Sequence, residues 1–131
     1  GKYIDCTFGG GGYSREILKI AKTKITAIDR DQNIKLIANE LEIKFPKRFK
    51  FYQIKFSQLD TILENHVDAI IFDLGLSSIQ LDDFERGFSF KSKDKLDMNM
   101  GLANKSAQEV INNMSETQLK LVIKIIYQNS N

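Results

Sequence analysis

Three aspartates stand where chemistry could be done. Asp5, Asp29 and Asp73 each fall near the carboxyl end of a short apolar run, and four glycines, Gly9 to Gly12, lie between the first two. Glycine lets a backbone approach a ligand closely and take positive φ. A carboxylate accepts two hydroxyl hydrogen bonds, which suits Asp29 to a ribose diol. The dinucleotide fingerprint G-x-G-x-x-G is met at Gly9 and Gly11 only, since its third glycine is Ser14 here. Asp5, just ahead of the loop, would repel a pyrophosphate and attract a cation. S-adenosylmethionine, a nucleoside with an ammonium, a sulfonium and no phosphate, fits this pattern better than NAD. The alternative without function is a flexible turn at residues 9–12.

The elements that must position these groups follow from periodicity. Residues 2–8 read as a strand stopped by the glycines, and 13–22 as a short helix with Ile17, Leu18 and Ala21 on one face. Residues 24–29 are a second strand. Residues 31–44 place Ile34, Ile37, Ala38 and Leu41 at helical spacing, with Asp31 able to cap the start. A third strand at 49–55, a short helix or turn at 57–64 and a fourth strand at 67–74 follow. The fourth is nearly all apolar, as a central parallel strand buried on both faces should be. Strands alternating with helices predict a doubly wound parallel α/β sheet with right-handed crossovers. Its ligand crevice lies beyond the carboxyl ends of the strands, where all three aspartates fall.

After Gly75 the pattern breaks. Residues 75–105 read as a long irregular polar loop, a feature that is usually functional. Residues 106–114 and 115–128 then read as two helices, the first opened by a capping box at Ser106 and Glu109. The expected division is a nucleotide-binding part at 1–75, a substrate loop at 76–105 and a helical extension from 106.

Composition narrows the classes. With 131 residues, 42% hydrophobic and 27% charged, the chain is one globular domain or part of one. No apolar run nears the roughly 20 residues that span a bilayer. The formal net charge of +2 does not by itself announce nucleic acid. One Cys excludes a disulfide framework and a Cys-rich zinc site, and one His excludes a histidine metal cluster. No metal is expected. The chain opens on Gly1 with Tyr3 already in a strand and shows no secretory signal, so a piece of a longer domain is expected.

Five blocks then resemble one family. Residues 5–14, DCTFGGGGYS, are similar to D-x-T-x-G-x-G-G-[HY]-S, and Asp29-Arg-Asp31 to the ending of the second strand in the ribosomal RNA small subunit methyltransferase H family. Residues 73–82, DLGLSSIQLD, residues 86–90, RGFSF, and residues 96–100, LDMNM, resemble its D-L-G-[VL]-S-S-x-Q-L-D, R-G-F-S-F and L-D-M-R-M segments. They occur in order along essentially the whole chain. The departures are Ile79 for the usual proline, Lys93-Asp94-Lys95 for D-G-P, and Asn99 for arginine.

The resemblance implies a class I S-adenosylmethionine-dependent methyltransferase fold, Rossmann-like with parallel strands ordered 3-2-1-4, and a helical insertion. It implies methylation of the exocyclic N4 amine of a cytidine in small-subunit ribosomal RNA, on the 30S particle, in the bacterial cytoplasm. Carried over by position, Gly11, Gly12 and Tyr13 would contact the donor, Asp29 its ribose and Phe56 its adenine, while Asp73 and Gln80 complete the pocket. The later strands and the amino-terminal helix of that family have no counterpart here, so these residues alone are expected to turn over little or not at all. The alternatives are a silent paralogue that binds donor or RNA, and a small-molecule methyltransferase, against which the RGFSF block stands.

Several single residues carry two readings. Asp73 either accepts from the amine hydrogens or serves the donor, and Asp97 is a second candidate acceptor. Cys6 and His66 read as bystanders rather than catalysts. Phe88 and Phe90 either stack on a flipped base or anchor the loop to the core, the anchor being favoured. Met98 and Met100 read as core. Arg86 pairs with phosphate or, better by four-residue spacing, with Asp82. Lys91, Lys93 and Lys95 contact phosphate or form a solvated face.

Overall fold

The computed structural model describes residues 1–63, 66–93, 95–102 and 105–128. Glu64, at the end of the third expected helix or turn, and Asp94, within the Lys-Asp-Lys departure, lie outside the described residues. Strand β1 (Lys2–Asp5) sits between β2 (Lys24–Asp29) and β4 (Ala69–Ile71), and β3 (Phe49–Gln53) pairs with the outer side of β2. All pairings are parallel, in the expected order β3-β2-β1-β4. The register sets Asp5 opposite Ala27 and Ile71, and Asp29 opposite Gln53. Isolated bonds carry the β1 pairing further, with the Cys6 amide donating to Ile71 O and the Phe8 amide to Ile28 O.

Side chains alternate across the sheet because the strand period is two. Phe8, Ile25, Ala27 and Phe49 pack on one face with Leu18, Ile34, Ala38 and Leu41. Ile4, Cys6 and Ile28 pack on the other face against Ile54, Leu59, Ile62 and Val67. The first layer is supplied by helices α1 (Gly12–Leu18) and α2 (Lys35–Lys44), the latter entered through a 3-10 turn at Gln32–Ile34. Asp31 caps that turn as expected, accepting from the Asn33 amide at 3.0 Å.

Helix α1 stops earlier than its pattern suggests. The Thr23 hydroxyl donates to the carbonyls of Ile17 and Ile20, and Arg48 Nη2 donates to those of Leu18 and Ile20. With its last carbonyls taken by side chains, the chain turns out of the helix. Ala21 is exposed, and Lys22 sits at φ 63.

Strand β4 departs further. It is three residues long, and Ile70, Phe72 and Leu74 are 41%, 50% and 70% exposed rather than buried on both faces. Among the described residues it pairs with β1 alone, and no helix packs closely over it.

Residues 75–105 are not one irregular loop. Helix α3 (Ser78–Asp82) starts on a Ser77–Gln80 capping box, and a 3-10 turn spans Phe84–Arg86. Helix α4 (Ala107–Asn113) carries the expected Ser106–Glu109 box, and α5 (Glu116–Gln128) follows. No helix among the described residues is long and apolar enough to cross a membrane.

Leu41 is fully buried between α2 and the sheet. Leu41→Ala should cost about 2–5 kcal/mol through lost transfer energy and the cavity left behind, read from urea unfolding midpoints.

Candidate active site

A crevice of about 740 Å³ opens beyond the carboxyl ends of β1, β2 and β4, within the roughly 300–1,000 Å³ usual for small-molecule sites. Its walls include Thr7, Gly9, Gly10, Gly12, Tyr13, Asp29, Arg30, Phe56, Asp73, Ser77, Gln80 and Met100. A smaller hollow of about 360 Å³ lies around the amino-terminal ends of the strands, among Tyr3, Lys24, Arg48 and Phe49. Open parallel sheets bind ligands at the carboxyl end, and the aspartates are at that end.

The glycine loop is shaped by two conformational needs. Gly11 sits at φ +76, and a Cβ there would fall 2.8 Å from the Phe8 ring. Its amide donates to Phe8 O at 2.7 Å, closing the turn. Gly11 therefore shapes the loop from beneath, buried and outside the crevice wall, while Gly12 beside it faces open space with no atom within 4 Å of a would-be Cβ.

The three carboxylates take different places. Asp29 lies at the crevice wall, its Oδ2 accepting from the Gly9 amide at 2.8 Å and its Oδ1 from the Asp31 amide at 2.9 Å. Each oxygen keeps a further acceptor site. Asp73 also lies at the wall, its amide donating to Thr7 Oγ1 at 2.8 Å, which ties the loops after β1 and β4. Asp5 does not reach the crevice wall. It is 1% exposed, accepting from the Ser14 hydroxyl at 2.7 Å and the Thr7 amide at 3.3 Å. Burial raises its carboxyl above the ordinary value, and the charges of Asp29 and Asp73 add to the rise against the pull of the Ser14 and Thr7 bonds. The crevice therefore has a negative field with a buried acid behind it.

Phe56 is half exposed at the wall and meets Phe72 edge-on, with centroids 5.7 Å apart. Tyr13 is 52% exposed there. Gln80 lines the crevice but is spoken for: its Oε1 accepts from the Ser77 amide and its Nε2 donates to Asp31 Oδ2 at 2.9 Å.

Arg86 does not pair with Asp82. Its Nη1 lies 2.8 Å from Asp31 Oδ2, with side chains 10% and 1% exposed, while Nη2 donates to Asn99 O at 2.9 Å. The Nη1 approach is off the line of its N–H bonds, so this contact is Coulombic more than a well-aligned hydrogen bond. Asp82 loses Arg86 to Asp31 because Asp82 is solvent-exposed, where a pair gains little.

The remaining candidates separate cleanly. Phe88 is buried under the Arg86 guanidinium at 5.1 Å and anchors the loop; Phe90 is fully exposed. Met100 lines the crevice, but Met98, at φ 52, is 41% exposed and not core. Asp97 is half-buried and outside the crevice wall, on the segment that leads into Met100. Lys91, Lys93 and Lys95 are all exposed. Cys6 is buried, and desolvation with the nearby Asp5 charge pushes its thiol up to about 11, the wrong direction for a nucleophile. His66 is exposed ahead of β4, at the opposite end of the sheet.

Sequence reasoning missed Asp31 as more than a cap, and it missed Arg30, Ser77 and Met100 as wall residues. The available signal was that a capping aspartate uses one oxygen for the cap and leaves the other for a distant partner.

An open parallel α/β sheet with this crevice and glycine turn is the class I methyltransferase arrangement of strands. The chain belongs to the MraW methylase family, whose model matches residues 1–130. It is 43% identical over 131 residues to the Ribosomal RNA small subunit methyltransferase H of Ehrlichia canis (strain Jake), covering 96% of this chain and 43% of that protein. It is 44% identical over 128 residues to the protein of the same name from Anaplasma phagocytophilum (strain HZ), covering 92% and 43%. For the Bartonella tribocorum protein of that name the identity is 43% over 125 residues, covering 95% and 37%. The chain thus spans 37% to 43% of the length of these relatives.

The Asp31 carboxyl sets a pH dependence. Burial alone would raise it, but the Arg86 guanidinium, the Gln80 amide and the Asn33 amide outweigh that and hold it below the ordinary 3.8. A carboxyl depressed on folding stabilises the fold above its unfolded value, and that contribution fades as pH falls through the folded value. Asp31→Asn should flatten this acid limb below about pH 4. At neutral pH it should cost about 3–5 kcal/mol by stranding a buried guanidinium. Urea midpoints across the pH range measure both.

Proposed function

We propose that the full-length protein transfers a methyl group from S-adenosylmethionine to N4 of a cytidine in small-subunit ribosomal RNA. Membership in the MraW methylase family supports the reaction class. The observation that carries the donor is the crevice itself: Asp29 and Asp73 at its wall, Asp5 buried behind, and Arg30 the one basic residue among the described wall residues. Such a field favours a cationic nucleoside over a phosphate-bearing one.

When bound, S-adenosylmethionine supplies an electrophilic methyl group on sulfur. The chain's own residues do the rest. Asp29 accepts the ribose hydroxyls on the lone pairs left free by the Gly9 and Asp31 amides. Gly12 leaves room for the donor to lie against the backbone, and Phe56, braced by Phe72, offers a wall to the adenine. The cytidine must leave its stack to enter the crevice. Its N4 nitrogen must be held in line at about 3–3.5 Å from the methyl carbon. As the nitrogen–carbon bond forms and the carbon–sulfur bond breaks, the amine loses a proton. Asp73 at the wall, or Asp97 on the adjoining segment, is the acceptor that localises the amine lone pair beforehand.

Calorimetry on the full-length protein with S-adenosylhomocysteine tests the donor site. Asp29→Ala should weaken binding by roughly 10- to 150-fold, the equivalent of losing charge-assisted hydrogen bonds of about 1.5–3 kcal/mol. Unchanged binding would remove the ribose assignment. Mass spectrometry of ribosomal RNA from a deletion strain tests the substrate, and persistence of every N4-methylcytidine would overturn it. Asp97→Asn should lower methylation far more than donor affinity, because its assigned partner is the base.

A further inference from the structure

Two segments of the substrate side converge on one buried charge. Asp31 Oδ2 receives both the Arg86 guanidinium at 2.8 Å and the Gln80 amide at 2.9 Å. Arg86 in turn grips residues 98–99 twice: its Nη2 donates to Asn99 O at 2.9 Å, and its own carbonyl accepts from the Met98 amide at 2.8 Å. Met98 sits at φ 52, a conformation disfavoured for a residue with a Cβ, so the segment needs to be held there. The next residue but one, Met100, is in the crevice wall. On the other side, the Asp31 amide donates to Asp29 Oδ1, and Asp29 Oδ2 accepts from the Gly9 amide. An unbroken chain of polar contacts therefore runs from the glycine loop through Asp29, Asp31 and Arg86 to residues 98–99.

We infer that Arg86 is a positioning residue that couples donor binding to placement of the 97–100 segment, and so to the alignment of the methyl acceptor. The inference rests on the donor reading of Asp29 given above. A guanidinium buried and matched in this way is withdrawn from any RNA phosphate. A donor that engages Asp29 stiffens the short turn to Asp31 and with it the grip of Arg86. By linkage, an ordered segment must favour the donor to the same degree. Gly87 lets the segment close on Arg86: at φ +73, its Cβ would stand 2.8 Å from Lys95 O and 3.0 Å from the Asp97 amide nitrogen.

The test uses the full-length protein with three variants, Arg86→Met, Arg86→Lys and Gly87→Ala. Backbone hydrogen exchange at residues 97–100 is followed with and without S-adenosylhomocysteine, alongside donor Kd and the kcat and KM for small-subunit particles. In the unaltered protein S-adenosylhomocysteine should slow exchange at 97–100, and Arg86→Met should abolish that response. Arg86→Met should also lower kcat roughly 100-fold, the scale of a misplaced reacting atom, with KM for particles little changed and donor Kd raised by about fivefold or more, the reciprocal of the lost coupling. Arg86→Lys keeps charge without the fork and should restore the exchange response in part. If Arg86→Met does not fold, Gly87→Ala must show the same kcat loss and the same lost response; otherwise the inference falls. A raised KM with unchanged kcat would make Arg86 a phosphate contact and overturn it. So would an exchange response that survives Arg86→Met. A protein that binds S-adenosylhomocysteine and shows the exchange response yet never methylates particles would sink the proposed substrate and leave the coupling standing.

Discussion

An ionised carboxylate is costly to bury unless partners match its charge. Asp31, 1% exposed at the exit of β2, is matched by an arginine and a glutamine that both come from beyond β4. That requirement folds residues 77–100 back across the carboxyl ends of the strands. Without it the crevice would be an open groove between strand ends. With it, Gln80, Ser77 and Met100 become its wall, and the segment bearing Asp97 lies alongside. The packing of α4 follows as well, since the amides of Ala107 and Gln108 donate to the carbonyls of Asp97 and Leu96.

The same end of the sheet carries a second electrostatic constraint, of opposite sense. Asp31 is satisfied by a cation; Asp5 is buried with only a hydroxyl and an amide, and its carboxyl is raised by burial and by Asp29 and Asp73. One aspartate is thus a structural counter-ion, and Asp29 and Asp73 at the wall make a field that is left for a ligand. One residue, Arg30, separates Asp29 from Asp31, and that short turn is where the ligand field and the structural pair meet.

The apolar surface is distributed unevenly around this site. The two layers over β1 and β2 are closed, with Ile28, Ala27 and Leu41 fully buried. Strand β4 and helix α5 are not closed: Ile70, Phe72 and Leu74, and Leu121, Ile123, Ile126 and Tyr127, all stand exposed. Among the described residues no helix packs closely over strand β4, which is the physical reason its both-sides-apolar pattern is not matched by burial.

Local order and the polarity of the sheet were legible in the sequence by itself. Period-two runs and the Ile34, Ala38, Leu41 spacing depend only on which face of an element is apolar, so the four strands and α2 followed from them, while the order β3-β2-β1-β4 came with the family resemblance. The carboxyl-end position of Asp29 and Asp73, the glycine turn and the Ser106–Glu109 box were legible for the same reason, because each is set by neighbours within a few residues. Tertiary structure decided what contacts across the chain decide. Helix α1 ends where Arg48, some 30 residues away, takes the Leu18 carbonyl. Gln80 finds Asp31 across 49 positions, and Arg86 passes over nearby Asp82 for a buried carboxylate. A four-residue spacing could suggest the local pair, but desolvation makes the distant one stronger, and burial is not written in any single stretch of sequence.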